Sequence, residues 1–299
     1  MRPKKTPLLK GEGPLAVEGF QMTKKKKLII SLISVLLVVA ICVACVLVYS
    51  LQQPPKVLSL TDEGLPTENV NLVAHRGFSA VAPENSAVAF REAGENGFFA
   101  AECDIQLSKD NVWVVNHNLD IKSMTNGEGK IWDMTYEEIS KYFVDGGHNA
   151  EKYPNQKLIT LEEYLAICNE YKIIPQIEVK EGNYECLDKI LTALDKYDGM
   201  RETAIIISFD TAILEKIRNY DKDIELWYLT HEINEKIIRL ATVNDYAIAF
   251  NCKKNDAEML KKAQDKNIKL ASWTVDSPKI YKELYDLGVR NFTTNRLTK

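Results

Sequence analysis

The segment NLVAHRGFSAVAPENSAVAF, residues 71–90, passes from a short apolar run to a histidine and an arginine, and then to a proline, a carboxylate and an amide. The run at 70–74 has the length and composition of a buried strand, whereas the residues after Ser86 have the spacing of an amphipathic helix. His75 and Arg76 therefore follow directly on a predicted strand end. Only four histidines occur in the 299 residues, so this position calls for a chemical explanation.

The same order of strand and helix recurs toward the carboxyl terminus. Short β-rich runs fall at 70–74, 98–107, 112–116, 173–179, 204–209, 224–229, 246–250, 268–275 and 289–293. Helical spacing is found at 86–96, 161–171, 187–195, 211–219, 257–266 and 278–287. This alternation is typical of βα units that surround a parallel sheet.

The number of these units decides between two α/β architectures. With 112–116 counted as an extension of 98–107, the sequence contains eight βα units. Eight strands within residues 70–299 favour a closed (β/α)8 TIM barrel over an open doubly wound sheet. Residues 119–157 fit no βα unit, so we expect them to form a small insertion after the second βα region, on the upper rim where loops carry function.

The amino-terminal part differs from the rest of the chain. Residues 28–49 form an uncharged apolar run, long enough for a helix of about 33 Å that crosses a bilayer and longer than the apolar region of a cleaved signal peptide. Residues 1–27 carry eight Lys or Arg and two Glu, and such a basic flank stays in the cytoplasm. We therefore expect a single-pass protein of the cell membrane with a cytoplasmic tail at 1–27, a transmembrane helix at 28–49, a stalk at 50–69 and an extracellular domain at 70–299.

Two predicted strand ends carry acidic side chains. In AECDIQL, Glu102 and Asp104 leave the same face of an extended strand, and in IEVK, Glu178 and Lys180 do the same. Carboxylates on one inward face need a positive partner, either a divalent cation or Lys and Arg side chains. A solvent-facing acidic pair and a buried ion pair are the alternatives. Three carboxylates without Cys or His would select one hard cation, Mg²⁺ or Ca²⁺.

The histidines and the basic residues at the same predicted barrel end complete a possible active site. His75 and His117 follow the first and third apolar runs, and histidine is the side chain best suited to move a proton near neutral pH. Arg76 and Lys180 add fixed positive charge, which suits a phosphate group. Together with a bound cation, these residues indicate phosphodiester cleavage.

Other residues have more than one interpretation. Trp273 in ASWTVD lines the pocket or fills the barrel. Glu84 faces the site or, with Asn85, caps the following helix, because Asn is a favoured capping residue. His148 and His231 fall in predicted loops or helix starts without carboxylate neighbours, and we interpret both as structural.

These motifs resemble the glycerophosphodiester phosphodiesterases, a family whose signature runs HRG, PENT, ExD, HD and ExK. The corresponding segments here are His75-Arg76-Gly77, Pro83-Glu84-Asn85-Ser86, Glu102-Cys103-Asp104, His117-Asn118 and Glu178-Val179-Lys180. The resemblance covers about residues 71 to 295. Five motifs in the same order are far more specific than any one of them.

The resemblance implies a (β/α)8 barrel that hydrolyses glycerophosphodiesters to an alcohol and glycerol 3-phosphate with a divalent ion. It implies a role for each matched residue: acid/base catalysis by His75 and His117, metal binding by Glu102, Asp104 and Glu178, and substrate binding by Arg76 and Lys180, for which Trp273 and Glu84 are further candidates.

Two departures from the family pattern concern the site. Asn118 replaces the aspartate of HD, which removes a negative neighbour of His117. The carboxy-terminal TTNR lacks the aspartate and the proline usual after the last strand.

Two alternatives stay open at this point. One is cleavage of lysophospholipid or sphingolipid headgroups with formation of a cyclic phosphate, and the other is a non-catalytic barrel that only binds. Residues 28–299 hold 30 basic and 40 acidic side chains, and this acidic balance without a basic stripe argues against a nucleic-acid partner.

Overall fold

The computed structural model describes residues 24–52, 55–254 and 256–299. The chain separates into two compact units, residues 1–53 and 54–299. Most of the tail expected at 1–27 lies outside the described residues. In the first unit, helix α1 spans Lys24–Gln52. Its portion Lys24–Cys45 has a mean hydropathy of 3.2 and the length of a membrane span, and a signal sequence has the same properties.

The second unit is built on eight parallel strands that close into a barrel. Its strands in chain order are β1 (Leu58–Ser59), β2 (Asn71–Ala74), β3 (Ala100–Leu107), β4 (Trp113–Val115), β5 (Ile174–Val179), β6 (Ile205–Ser208), β7 (Glu225–Thr230), β8 (Ala247–Asn251), β9 (Leu270–Trp273), β10 (Asn291–Thr294) and β11 (Leu297–Thr298). The barrel order is β2-β3-β5-β6-β7-β8-β9-β10, and β10 pairs again with β2. The predicted TIM barrel is confirmed.

The sequence pattern predicts that β4 extends β3 in the same direction. The structure shows otherwise. Strand β4 turns back and pairs antiparallel with β3, with Val115 opposite Ile105 and Trp113 opposite Leu107. Asn111 in the connecting turn has a φ of 61°, a left-handed conformation that asparagine tolerates. The reversal returns the chain to the barrel mouth, where the amide of Asn116 donates to the carbonyl of Asp104.

The insertion follows β4 and precedes the helix of the second βα unit. Its described elements are α3 (Tyr136–Ile139) and two short 3₁₀ turns at Ile131–Asp133 and Ala150–Lys152. It packs into a small apolar cluster that also includes one residue from each side of it: Val114, Ile121, Met124, Ile131, Ile139, Val144 and Leu158. This separate core explains why the segment shows no βα pattern.

The remaining helices cover the outside of the barrel. They are α2 (Ala87–Glu95), α4 (Leu161–Tyr171), α5 (Leu187–Leu194), α6 (Met200–Thr203), α7 (Thr211–Tyr220), α8 (Glu235–Asn244), α9 (Ala257–Gln264) and α10 (Pro278–Asp286). Helix α8 was not among the predicted helical stretches, although its apolar residues have helical spacing; it buries only Ile238 and Ala241. Its start is fixed by Asn234, whose side chain accepts from two backbone amides.

The inside of the barrel is divided into an apolar and a polar half. The apolar half is a cluster of buried side chains from β6 to β9: Ile205, Ile207, Trp227, Leu229, Ala247, Ala249 and Ala271. On β3 and β5 the inward positions are instead polar, with Glu102 opposite Gln176 and Asp104 opposite Glu178 in register. The polar half therefore lies where the sequence predicts chemistry.

The predicted stalk at 50–69 is wrong for much of its length. Helix α1 continues to Gln52, and β1 pairs in parallel with the carboxy-terminal β11. Leu60 is fully buried, and the hydroxyl of Tyr281 donates to the carbonyl of Pro66. The apolar residues of this segment are too sparse to predict packing, but the far end of the chain supplies the strand that pairs with it.

Candidate active site

The HRG turn links β2 to its helix and directs several groups toward the barrel mouth. Arg76 has a φ of 56° and Gly77 a φ of 75°. A β-carbon on Gly77 would lie 2.7 Å from Ala89, so the close approach requires glycine. In this turn the backbone N–H of Arg76 donates to Oε2 of Glu102 at 2.8 Å, which ties the turn to β3.

The three carboxylates predicted to bind a metal come together. One oxygen from each of Glu102, Asp104 and Glu178 lies within 4.8 Å of the others. Glu102 and Asp104 are 2% and 1% exposed, and the Glu178 side chain is 12% exposed. Oxygens around a single Mg²⁺ or Ca²⁺, at about 2.0 to 2.6 Å from the ion, have about this mutual spacing.

Two cationic side chains contact this cluster. The Nζ atom of Lys180 lies 3.0 Å from Oδ1 of Asp104 and 2.7 Å from Oε1 of Glu178. Arg76 pairs with Oε1 of Glu84 at 2.8 Å, and its Nε lies 3.5 Å from Oδ2 of Asp104. Glu84 therefore contacts the site indirectly, because it pairs with Arg76, which lies beside Asp104.

Asn85 does not cap the helix that follows it. Ser86 is the N-cap, because its hydroxyl accepts from the amide of Ala89. The Asn85 side chain instead donates to Oδ2 of Asp104 at 2.8 Å and accepts from the Asp104 amide at 3.2 Å. Asn85 therefore fixes the position of the most buried carboxylate.

The three carboxyl groups differ in acidity. Burial and repulsion from Asp104 and Glu178 raise the pKa of Glu102 well above its usual range. Burial and the charge of Asp104 raise the pKa of Glu178 to about 7. Burial opposes ionisation of Asp104 as well, but Lys180 and Arg76 outweigh it and lower its pKa. The two nearby cations therefore outweigh burial at Asp104 but not at Glu102 and Glu178.

His75 is held by residues at the far end of the chain. Its Nδ1 lies 2.8 Å from Oδ1 of Asn295, and the Asn295 side chain donates to Oδ2 of Asp276 at 2.6 Å. Burial and the positive charge of Arg76 lower the pKa of His75 to about 4. The ring is therefore neutral at neutral pH, and a hydrogen bond from Nδ1–H leaves Nε2 free to accept a proton.

His117 reaches the cavity through the reversed strand β4. Its Nδ1 lies 2.9 Å from Oδ1 of Asn118, so the residue that replaces aspartate still orients the ring. The Gln106 side chain donates to the carbonyls of Asn116 and Asn118 and holds this loop on β3. Burial lowers the pKa of His117, although the nearby charge of Asp104 partly opposes this shift.

A cavity of about 250 Å³ opens between these groups at the carboxyl ends of the strands. Its polar wall includes the following residues: His75, His117, Arg76, Lys180, Glu102, Glu178 and Gln176. Its apolar wall consists of Ile207, Phe209, Trp227, Leu229, Ala249 and Trp273. Trp273 therefore lines the pocket, where its indole N–H donates to the carbonyl of Ala249 at 3.0 Å.

Some residues at the site were not predicted. His231, interpreted as structural, lines the cavity, and its ring centroid lies 5.3 Å from Phe209 and 5.8 Å from Trp273. Asn295 was noted in the sequence only as part of TTNR, and Asp276 only as part of ASWTVD; they follow the consecutive strands β10 and β9. His148 is not among the residues that line this cavity.

Its similarity to known proteins places the chain among the phosphoric diester hydrolases. Residues 75–299 match the sequence profile described as the Glycerophosphoryl diester phosphodiesterase family, and the chain belongs to that family.

Individual relatives agree with this assignment. Glycerophosphodiester phosphodiesterase from Caldanaerobacter subterraneus subsp. tengcongensis is 31% identical over 75% of this chain and 93% of its own length. Glycerophosphodiester phosphodiesterase 1 of Bos taurus is 26% identical over 71% of this chain and 73% of its own.

Among solved structures, an Oleispira antarctica phosphodiesterase in complex with the product sn-glycerol-3-phosphate superposes with a TM-score of 0.71. It is 22% identical, and the match covers 80% of this chain and 96% of that one. A glycerophosphodiester phosphodiesterase from Thermotoga maritima has a TM-score of 0.60 at 26% identity, over 76% of this chain and 95% of its own.

Proposed function

We propose that this chain hydrolyses glycerophosphodiesters to an alcohol and glycerol 3-phosphate, with one divalent cation held by Glu102, Asp104 and Glu178. The observation that carries the proposal is the meeting of three carboxylate oxygens within 4.8 Å at a cavity that both histidines also line. Membership of the family supports this choice of substrate, as does the sn-glycerol-3-phosphate bound to the Oleispira phosphodiesterase.

The donor set fits a hard cation. All three candidate ligands are carboxylates, and burial together with their mutual repulsion raises the pKa values of Glu102 and Glu178. A divalent ion would relieve that repulsion, and oxygen ligands select Mg²⁺ or Ca²⁺ over softer metals. When bound, such an ion would supply positive charge that stabilises the phosphoryl oxygens.

The two histidines would divide the proton transfers. Neutral His75, held by Asn295, takes the proton from the attacking hydroxyl at its Nε2. The nearby charge of Asp104 favours the protonated form of His117, which would donate its proton to the oxygen of the leaving alcohol. One P–O bond forms on the side of His75 while the bond to the alcohol breaks on the side of His117.

The remaining predicted residues would bind the substrate. Arg76 and Lys180 present guanidinium and ammonium groups to the phosphoryl oxygens, and burial strengthens their attraction for this charge. Glu84 would keep Arg76 in position through their 2.8 Å contact. Trp273 would pack against the carbon atoms of the substrate on the apolar side of the cavity.

The location of the enzyme is also part of the proposal. Helix α1 would anchor the chain in the cell membrane as a single span, with the basic amino terminus in the cytoplasm and residues 70–299 extracellular. The length and hydropathy of α1 support a span, and the eight basic residues before the apolar run support this orientation. Protease protection in intact cells would test it, because an extracellular domain is digested without lysis.

The activity is tested with the full chain, purified in detergent, on several glycerophosphodiesters with Mg²⁺ or Ca²⁺. We expect release of glycerol 3-phosphate, and loss of that release in His75→Ala. Phosphorus NMR of the products identifies the nucleophile, since a cyclic phosphate excludes direct attack by water. No release from any substrate with either cation would refute the proposal.

A further inference from the structure

Gln176 has a buried polar atom that no residue satisfies. The residue is 1% exposed, and among the described residues its Oε1 has no hydrogen-bond partner. Buried polar oxygens in folded proteins nearly always have a partner. An orphan acceptor of this kind calls for a group that the chain itself does not provide.

The orphan oxygen belongs to a side chain that lines the catalytic cavity. Gln176 lies on β5 two residues before Glu178, so both side chains leave the same face of the strand. Both are among the residues that line the cavity. In the barrel, Gln176 is the register partner of Glu102 on one side and of Ile205 on the other. It therefore lies one layer deeper than the pair Asp104 and Glu178.

The depth of Gln176 determines which part of a substrate can reach it. The groups that suit a phosphoryl group, Arg76 and Lys180, follow the ends of β2 and β5 at the cavity mouth. With a phosphoryl group there, one arm of the diester would extend downward between the apolar wall and Gln176, and we assign the glycerol arm to this side. The atom farthest from the phosphorus is then the terminal hydroxyl of the glycerol.

We propose that Oε1 of Gln176 accepts a hydrogen bond from the terminal hydroxyl of the glycerol moiety and so selects glycerol over other alcohols. The inference rests on the proposed function and deepens it, because it names a determinant of substrate choice. A buried acceptor left without its donor opposes binding, so a substrate that lacks the hydroxyl is rejected.

The test compares wild type with Gln176→Met, which keeps the volume and removes the acceptor. Two diesters serve as substrates: glycerophosphocholine and its analogue in which propane-1,2-diol replaces glycerol, which keeps the inner hydroxyl. Wild type should prefer glycerophosphocholine by about 10- to 100-fold in kcat/KM, and the variant by less than about threefold. Calorimetry with glycerol 3-phosphate and the phosphate of propane-1,2-diol should show the same loss of preference in Kd.

A control variant and a third measurement make the result specific. Ile205→Val changes the packing beside Gln176 without touching a polar group, and it should keep the wild-type preference. Cation affinity should be the same in wild type and Gln176→Met. Equal loss of kcat/KM on both substrates, or weaker cation binding in Gln176→Met, would overturn the inference. If wild type cleaves neither diester, the proposed function itself fails.

Discussion

The Nδ1 atom of His75 lies 2.8 Å from Oδ1 of Asn295, where the first and the last barrel strands meet. Asn295 is in turn fixed by Asp276, which accepts from both its side chain and its backbone amide. The neutral amide of Asn295 therefore orients the His75 ring, and the carboxylate of Asp276 contacts Asn295 but not the ring.

We predict that Asn295→Asp moves the acid limb of the pH profile to higher pH. The new carboxylate would contact the imidazole directly and raise its pKa from about 4 toward the ordinary value of about 6.5. His75 would then become protonated, and inactive as a base, at a higher pH. The pH dependence of kcat/KM checks this.

Asn295→Ala provides the comparison for that profile. It should lower kcat by about 10- to 100-fold, because the ring loses its orientation. It adds no charge beside His75, so it should not reproduce the shift seen with aspartate. An unchanged profile in Asn295→Asp would show that His75 does not act as the base.

We predict that Gly77→Ala destabilises the barrel by about 2–4 kcal/mol, from left-handed backbone strain together with a steric clash. The β-carbon would meet the backbone and side chain of Ala89 at 2.7 Å. Gly64→Ala is the matched control, since Gly64 has a φ of 66° and nothing within 4 Å of the added carbon. It should cost about 1–2 kcal/mol from strain alone. Denaturant unfolding measures both, and equal losses would rule out the clash.

The repeating part of the fold was predictable from sequence, because each βα unit is specified by local periodicity. The exceptions depend on residues far apart. Strand β1 has only two residues, and its partner β11 lies more than 200 positions away. The reversal at Asn111 could not be predicted, because an antiparallel return strand and a straight extension show the same alternation of apolar and polar residues.

The residues of the candidate site were predictable where charged groups stood at strand ends, as for Glu102 and Glu178. Their neutral partners were not. Asn85 had a plausible local use as a helix cap, and only the structure shows its contact with Asp104. Gln176 had no signal beyond an inward position in a strand, since an unsatisfied oxygen is a property of the folded chain.

We predict that cation-free Glu178→Gln is more stable than cation-free wild type at pH 8. The folded-state pKa of Glu178, about 7, lies above its ordinary value of 4.5. The folded state therefore binds more protons than the unfolded state between these values, and its stability falls as the pH rises through that window.

Glutamine carries no proton to lose, so it avoids this penalty. The gain in the free energy of unfolding should be about 1–3 kcal/mol at pH 8 and close to zero below about pH 4.5. Unfolding in denaturant with a chelator, at both pH values, measures it. A variant less stable than wild type at pH 8 would show that Glu178 is already neutralised by Lys180.

The most direct measurement is a calorimetric titration of Mg²⁺ and Ca²⁺ into the chelator-treated full chain. We expect one bound cation per chain, an affinity lowered by more than about tenfold in Glu178→Gln, and an unchanged affinity in His117→Ala, whose turnover should fall by about 10²- to 10⁴-fold. Absence of binding in wild type would show that the three carboxylates hold no cation, and equal loss of affinity in both variants would show that the roles of Glu178 and His117 are misassigned.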